Sequence, residues 1–142
     1  MKTKLNKVLL IDDDAPTNFL HQEIFEEVDC AEEIVIMQRA QEALDYLITP
    51  VEGKYPNPEL IFLDINMPGM NGWEFLDVYQ KLAKKFQGEI IVMMLTTSLN
   101  PDDYRRANTM EAITGLINKP LTKDRLLEVL RAYFPELAVA IS

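Results

Sequence analysis

Five short apolar runs punctuate the chain: Val8–Ile11, Ile34–Met37, Leu60–Leu63, Ile90–Leu95, and Ile113–Ile117 around Gly115. Each run is continuous rather than alternating. Unbroken Ile, Val and Leu runs of about four to eight residues suit strands covered on both faces, whereas strict alternation would mark a one-sided antiparallel sheet. Between the runs, apolar positions recur at helical spacing. Pro16 follows Asp14-Ala15 and opens a first helix carrying Phe19, Leu20, Ile24 and Val28. A short helix is predicted over Ala40–Ile48. Another begins near Gly72 and aligns Phe75, Leu76, Tyr79 and Leu82. Asn100-Pro101-Asp102-Asp103 supplies a capping side chain, a proline at the first helical position and acids in the first turn. Thr122 can cap a last helix whose stripe is Leu126, Leu127, Leu130 and Phe134. Gly53, Pro56 and Pro58 make residues 50–58 a surface loop.

Five strands alternating with five helices predict a doubly wound α/β fold, with a parallel sheet, right-handed crossovers and helices on both faces. Such sheets bind ligands beyond the carboxyl ends of their strands, so the residues that end each run carry the information. The first run ends in Asp12-Asp13-Asp14, the third in Asp64 and the fourth in Thr96-Thr97-Ser98. The fifth ends, after Asn118, in Lys119-Pro120. In a parallel sheet all of these meet at one edge. Asp14 taken alone reads more readily as a helix cap.

Carboxylates held close together repel and must take up protons or a cation. Mg²⁺ suits an oxygen-only set and keeps open positions for phosphate oxygens. A carboxylate beside it is a candidate nucleophile toward phosphorus. Lys119 offers positive charge, and Thr96 a hydroxyl donor, to the oxygens of a transferring phosphoryl group.

The 142 residues fit one domain, expected to span 1–142 without a separate effector domain. A net charge of −9 disfavours nucleic acid and anionic membranes as partners. No apolar run approaches the roughly 20 residues of a membrane span. The single cysteine, Cys30, excludes an intrachain disulfide, is expected to be a small buried or half-buried residue, and fits a reducing, cytoplasmic setting. His21, the only histidine, reads as an ordinary helix residue. Trp73, Phe75 and Met67, Met70, Met93, Met94 and Met110 read mainly as packing, and Arg105 and Arg106 as a solvated face. The apolar tail from Leu137 to Ile141 either extends the last helix or covers a second copy.

Together, Val8–Asp14, Leu60–Gly72, Met94-Leu95-Thr96 and Lys119-Pro120 resemble the receiver domains of two-component response regulators, over nearly the whole chain. The resemblance implies a flavodoxin-like (βα)5 fold with strand order 2-1-3-4-5. It implies that Asp64 is the phosphoacceptor and that Asp12, Asp13 and Asp64 bind Mg²⁺, Asp13 directly and Asp12 largely through water. The backbone carbonyl of Asn66 would complete the metal ligands. Thr96 would be the switch hydroxyl, and Lys119 the phosphate-pairing lysine, its bond to Pro120 cis. The implied partners are a sensor histidine kinase or histidine phosphotransfer protein and a downstream target protein, the chain being a monomer or weak homodimer. Such a domain is a phosphoacceptor that signals, transferring and losing its phosphoryl group by self-catalysis, rather than an enzyme in the usual sense.

One position departs from the pattern. Leu116 stands where many receivers carry Tyr or Phe. That leaves an interaction module independent of phosphorylation as the alternative. A small phosphohydrolase would want a second acid two residues after Asp64, and Asn66 cannot act as one.

Overall fold

The computed structural model describes residues 3–82, 90–97 and 100–137. The apolar runs become strands β1 (Leu5–Ile11), β2 (Ala31–Met37), β3 (Leu60–Asp64), β4 (Ile91–Thr96) and β5 (Gly115–Asn118). All pair in parallel, in the order β2-β1-β3-β4-β5. Helices α1 (Ala15–Val28), α2 (Ala40–Ile48), α3 (Gly72–Gln80), α4 (Pro101–Thr109) and α5 (Lys123–Tyr133) alternate with them. This is the doubly wound, flavodoxin-like order expected from the sequence.

The unbroken apolar character of the central strands has a direct cause. Every residue of β3 is buried, as are Val8 to Ile11 of β1 and Val92 to Thr96 of β4. One face packs Leu9, Ile11, Ile61 and Leu63 against Ala43, Leu47, Phe75 and Leu76 of α2 and α3. The other packs Leu10 and Phe62 against Phe25 of α1 and Leu126 and Leu130 of α5. At sites this enclosed, a Leu→Ala change costs about 2–5 kcal/mol.

The capping signals act as read. Asn100 Oδ1 accepts the Asp102 N–H at 3.0 Å, and Thr122 Oγ1 accepts the Arg125 N–H at 3.2 Å. Asn71 and Glu74 close a reciprocal capping box on α3.

Several expectations need correction. Asn18, His21 and Phe25 are the buried residues of α1, with Ile24 and Val28 packed half-buried beside them, while Phe19 and Leu20 are 61% and 57% exposed. The helix is turned so that its polar residues meet the strand ends. Helix α3 stops at Gln80, because the Leu82 N–H turns back to the Tyr79 carbonyl, leaving Leu82 beyond the helix. The edge strands are half-covered rather than buried on both faces. The 50–58 loop is exposed at its tip but buries Pro56 and Pro58. Ser98 and the tail beyond Leu137 lie outside the described residues.

Candidate functional site

Register builds the site. Ile11 pairs with Leu63, so the next residues, Asp12 and Asp64, leave adjacent strands side by side. Thr96 is registered against Asn118, and the Lys119 N–H donates to the Thr96 carbonyl at 2.8 Å. The strand ends therefore bring Asp12, Asp13, Asp64, Thr96 and Lys119 to one edge, as the sequence required of a parallel sheet.

Oxygens of Asp12, Asp13 and Asp64 lie within 4.8 Å of one another. Asp12 and Asp64 are buried, whereas Asp13 is exposed. The Lys119 ammonium reaches in between, 2.7 Å from Asp12 Oδ2 and 3.2 Å from Asp64 Oδ1. Burial raises the Asp64 carboxyl above its ordinary value, and the Asp12 charge adds to that, against the pull of Lys119. Burial also works to lower the Lys119 ammonium. The hydrogen bond to Asp12 and the two carboxylate charges overcome it, so Lys119 stands above its ordinary value.

Three carboxylates against one ammonium leave a surplus of negative charge at the cluster. All the ligand atoms on offer are hard oxygens, and one of the acids faces water. This donor set fits a hard divalent cation such as Mg²⁺ or Mn²⁺.

Supporting contacts hold these groups in place. The Asp14 N–H donates to Asp12 Oδ1 at 3.0 Å, and Asn18 Nδ2 donates to the Asp12 carbonyl at 2.8 Å. Asp14 itself caps α1, accepting the Thr17 N–H at 3.2 Å as well as the Thr17 hydroxyl. That commits its carboxylate to the helix and leaves the other two acids of the triplet for the cluster. The Asn66 N–H is directed at Asp64 Oδ1, 3.4 Å away, and the Asn66 side chain is exposed. Thr96 is fully buried at the end of β4, and the Lys119-Pro120 bond is cis.

The sequence reading missed Gly72. A Cβ there would lie 2.6 Å from the Asp64 carbonyl oxygen, and the Gly72 N–H donates to Ile65 at 2.9 Å. Helix α3 thus begins in contact with the backbone of Asp64, which only glycine permits. The signal was a glycine one residue after an Asn cap. Asn18 was also missed, since its inward face shows only when helix periodicity is counted from Asp14. His21 is buried in a largely apolar pocket it shares with Lys119 and Pro120. Trp73 and Phe75 are buried, as expected of packing residues, and so are Met67, Met93 and Met94. Arg105 pairs with exposed Asp102, whereas Arg106 lies over the Trp73 ring. No helix among the described residues is long and apolar enough to cross a membrane.

The response regulator receiver domain matches residues 8–131. Response regulator Rcp1 of Synechocystis is 32% identical over 125 residues, covering 85% of this chain and 78% of that protein. A two component response regulator from Cytophaga hutchinsonii superposes with a TM-score of 0.78 at 32% identity, covering 91% of this chain and 96% of the other. A Mn²⁺-bound form of Rcp1 superposes with a TM-score of 0.72 at 25% identity, over 91% and 94% of the two chains. With the fold, the strand-end cluster and these relatives in agreement, the chain belongs to the response regulator receiver domain family.

Proposed function

We propose that this chain accepts a phosphoryl group on Asp64 from a phosphohistidine of a sensor kinase or phosphotransfer protein, and signals through protein contacts. The observation that carries the reading is the convergence of Asp12, Asp13 and Asp64 within 4.8 Å, bridged by Lys119. Asp12, Asp13 and Asp64, with the Asn66 carbonyl, would hold Mg²⁺. When bound, the ion supplies positive charge to the phosphoryl oxygens and cancels repulsion among the acids.

The protein's own groups do the rest. An Asp64 carboxylate oxygen forms the new bond to phosphorus, and the bond from phosphorus to the donor nitrogen breaks with its electron pair going to that nitrogen; the donor leaves as a neutral imidazole because its other ring nitrogen already carries a proton in the phosphohistidine. Lys119 follows the charge onto the phosphoryl oxygens, and Thr96 donates its hydroxyl to one of them. Burial of Asp64 and Thr96 keeps water from competing with these contacts.

The reading takes residues 1–142 as one receiver unit acting on a protein target. The net charge of −9 supports a protein rather than a phosphate backbone.

Incubation with a small phosphodonor and Mg²⁺ should add one phosphoryl group by intact mass, and Asp64→Asn should remove it. Equal labelling of Asp64→Asn would overturn the assignment. A parent that stays unlabelled while binding its target would instead favour the phosphorylation-independent module, the reading toward which Leu116 points.

A further inference from the structure

Helix α4 has the sequence PDDYRRANT, and Ala107 is its one buried residue. A helix this polar has no apolar stripe to seat it, so side-chain ties at its flanks count for more than usual. Two such ties stand out among the described residues. The Tyr104 hydroxyl donates to Asn118 Oδ1, and the Arg106 guanidinium lies over Trp73, 4.6 Å from the ring centroid.

The first tie leads to the reacting groups. Asn118 ends β5 and directly precedes Lys119. Its backbone is registered against Thr96, and the Lys119 N–H donates to the Thr96 carbonyl. Residue 118 is therefore fixed from β4 through its main chain and from α4 through its side chain. A cavity of about 240 Å³, lined by Tyr104, Ala107, Met110, Ile113 and Leu116, lies between α4 and β5. It leaves the helix room to shift if the tie is released.

We propose that Tyr104 is a positioning residue for Lys119: through Asn118 it sets where the ammonium stands, and so couples phosphoryl acceptance at Asp64 to the seating of helix α4. The inference rests on the receiver reading above. An ammonium that must meet developing charge works best when its backbone is already placed. The coupling runs both ways. A partner that draws α4 away slackens Lys119, and a phosphoryl group that grips Lys119 seats Tyr104 more firmly.

The test uses the full chain with Tyr104→Phe, Asn118→Ala and the double variant. Tyr104→Phe keeps the ring and removes only the donor. Both ends of this hydrogen bond reach solvent, so a merely structural tie would leave labelling unmoved. Each single change is expected to slow labelling by a small phosphodonor with Mg²⁺ by about two- to tenfold, the worth of one hydrogen bond. Each should also shift the Lys119 amide resonance and leave the melting temperature in place. The double variant should be no slower than the slower single variant, because both changes remove the same contact. Labelling of Tyr104→Phe at the parent's rate, or additive slowing in the double variant, would overturn the inference. A parent that takes no phosphoryl group on Asp64 would sink the receiver reading instead, so the two failures are distinct.

Discussion

Lys119 and Asp12, 107 positions apart in the chain, meet at 2.7 Å, closer than Lys119 comes to Asp64. In the metal-free protein the lysine thus serves as the counter-charge of the acid cluster. Replacing it with methionine leaves two buried carboxylates facing each other. Stability without metal should fall by about 1–3 kcal/mol, the cost of stranding buried polar groups. The melting temperature of Lys119→Met should then climb more steeply with Mg²⁺ than the parent's, because the ion no longer competes with an ammonium. Urea and thermal unfolding with and without Mg²⁺ check both. An identical Mg²⁺ response in the two proteins would contradict the shared-carboxylate picture.

Gly72→Ala tests the contact between α3 and the backbone of Asp64. The added methyl would fall 2.6 Å from the Asp64 oxygen and 2.9 Å from the Ile65 Cα, both main-chain atoms that yield poorly. A loss of about 1–3 kcal/mol is expected from such overpacking. Labelling of Asp64 should drop as well, since the strain is delivered to that residue. Full stability and full labelling together would show that the segment relaxes freely.

Burial holds the His21 imidazole below its ordinary 6.5, with the Asp12 charge pulling the other way and losing. The fold therefore favours the neutral ring, while the unfolded chain protonates near 6.5. The resulting stability is present above that pH and is lost as pH falls through the folded value. Its slope is at most about 1.4 kcal/mol per pH unit. The Asp64 carboxyl, raised from 3.8, acts with the opposite sign as pH rises from 3.8 through its folded value. His21→Gln should flatten the dependence of unfolding free energy just below pH 6.5. An unchanged profile would remove His21 from the account.

Cys30 is fully buried, and burial pushes its thiol up to about 11. The thiolate is the reactive form, so native protein at neutral pH should resist alkylation. One equivalent should react after denaturation, as read by intact mass. Fast labelling of folded protein would show that the strand-end packing around Leu5 and Cys30 opens locally.

Where burial is two-sided, the chain announces its structure. Leu60 to Leu63 could be placed because a strand with no water-facing side has no room for a polar residue. Where only one side is covered, that rule lapses. β2 begins at Ala31 and carries exposed Glu32 and Glu33, which look like loop in a one-dimensional reading. β5 begins at Gly115 because the Ile113 N–H bonds to Met110 in a turn, and Thr114 pairs with Val92 through both backbone and side chain. For α1 the apolar count found Ile24 and Val28, which pack against the core, but missed that Phe19 and Leu20 face solvent, because Asn18 and His21 take inward positions near the acid cluster. The strand-end residues were legible because parallel topology alone brings them together. The Tyr104–Asn118 and Arg106–Trp73 contacts were not, because they depend on how far α4 stands from β5 and α3.

If the cluster holds Mg²⁺ as proposed, the outward position of Asp13 bears on the speed of metal exchange. With its two companions enclosed and this one at the surface, an arriving cation finds its first ligand without any breathing of the fold. Magnesium sheds its hydration shell reluctantly, so loading and unloading should be paced by the ion's own waters. The protein can then stay fully folded while its charge state follows the free ion concentration around it.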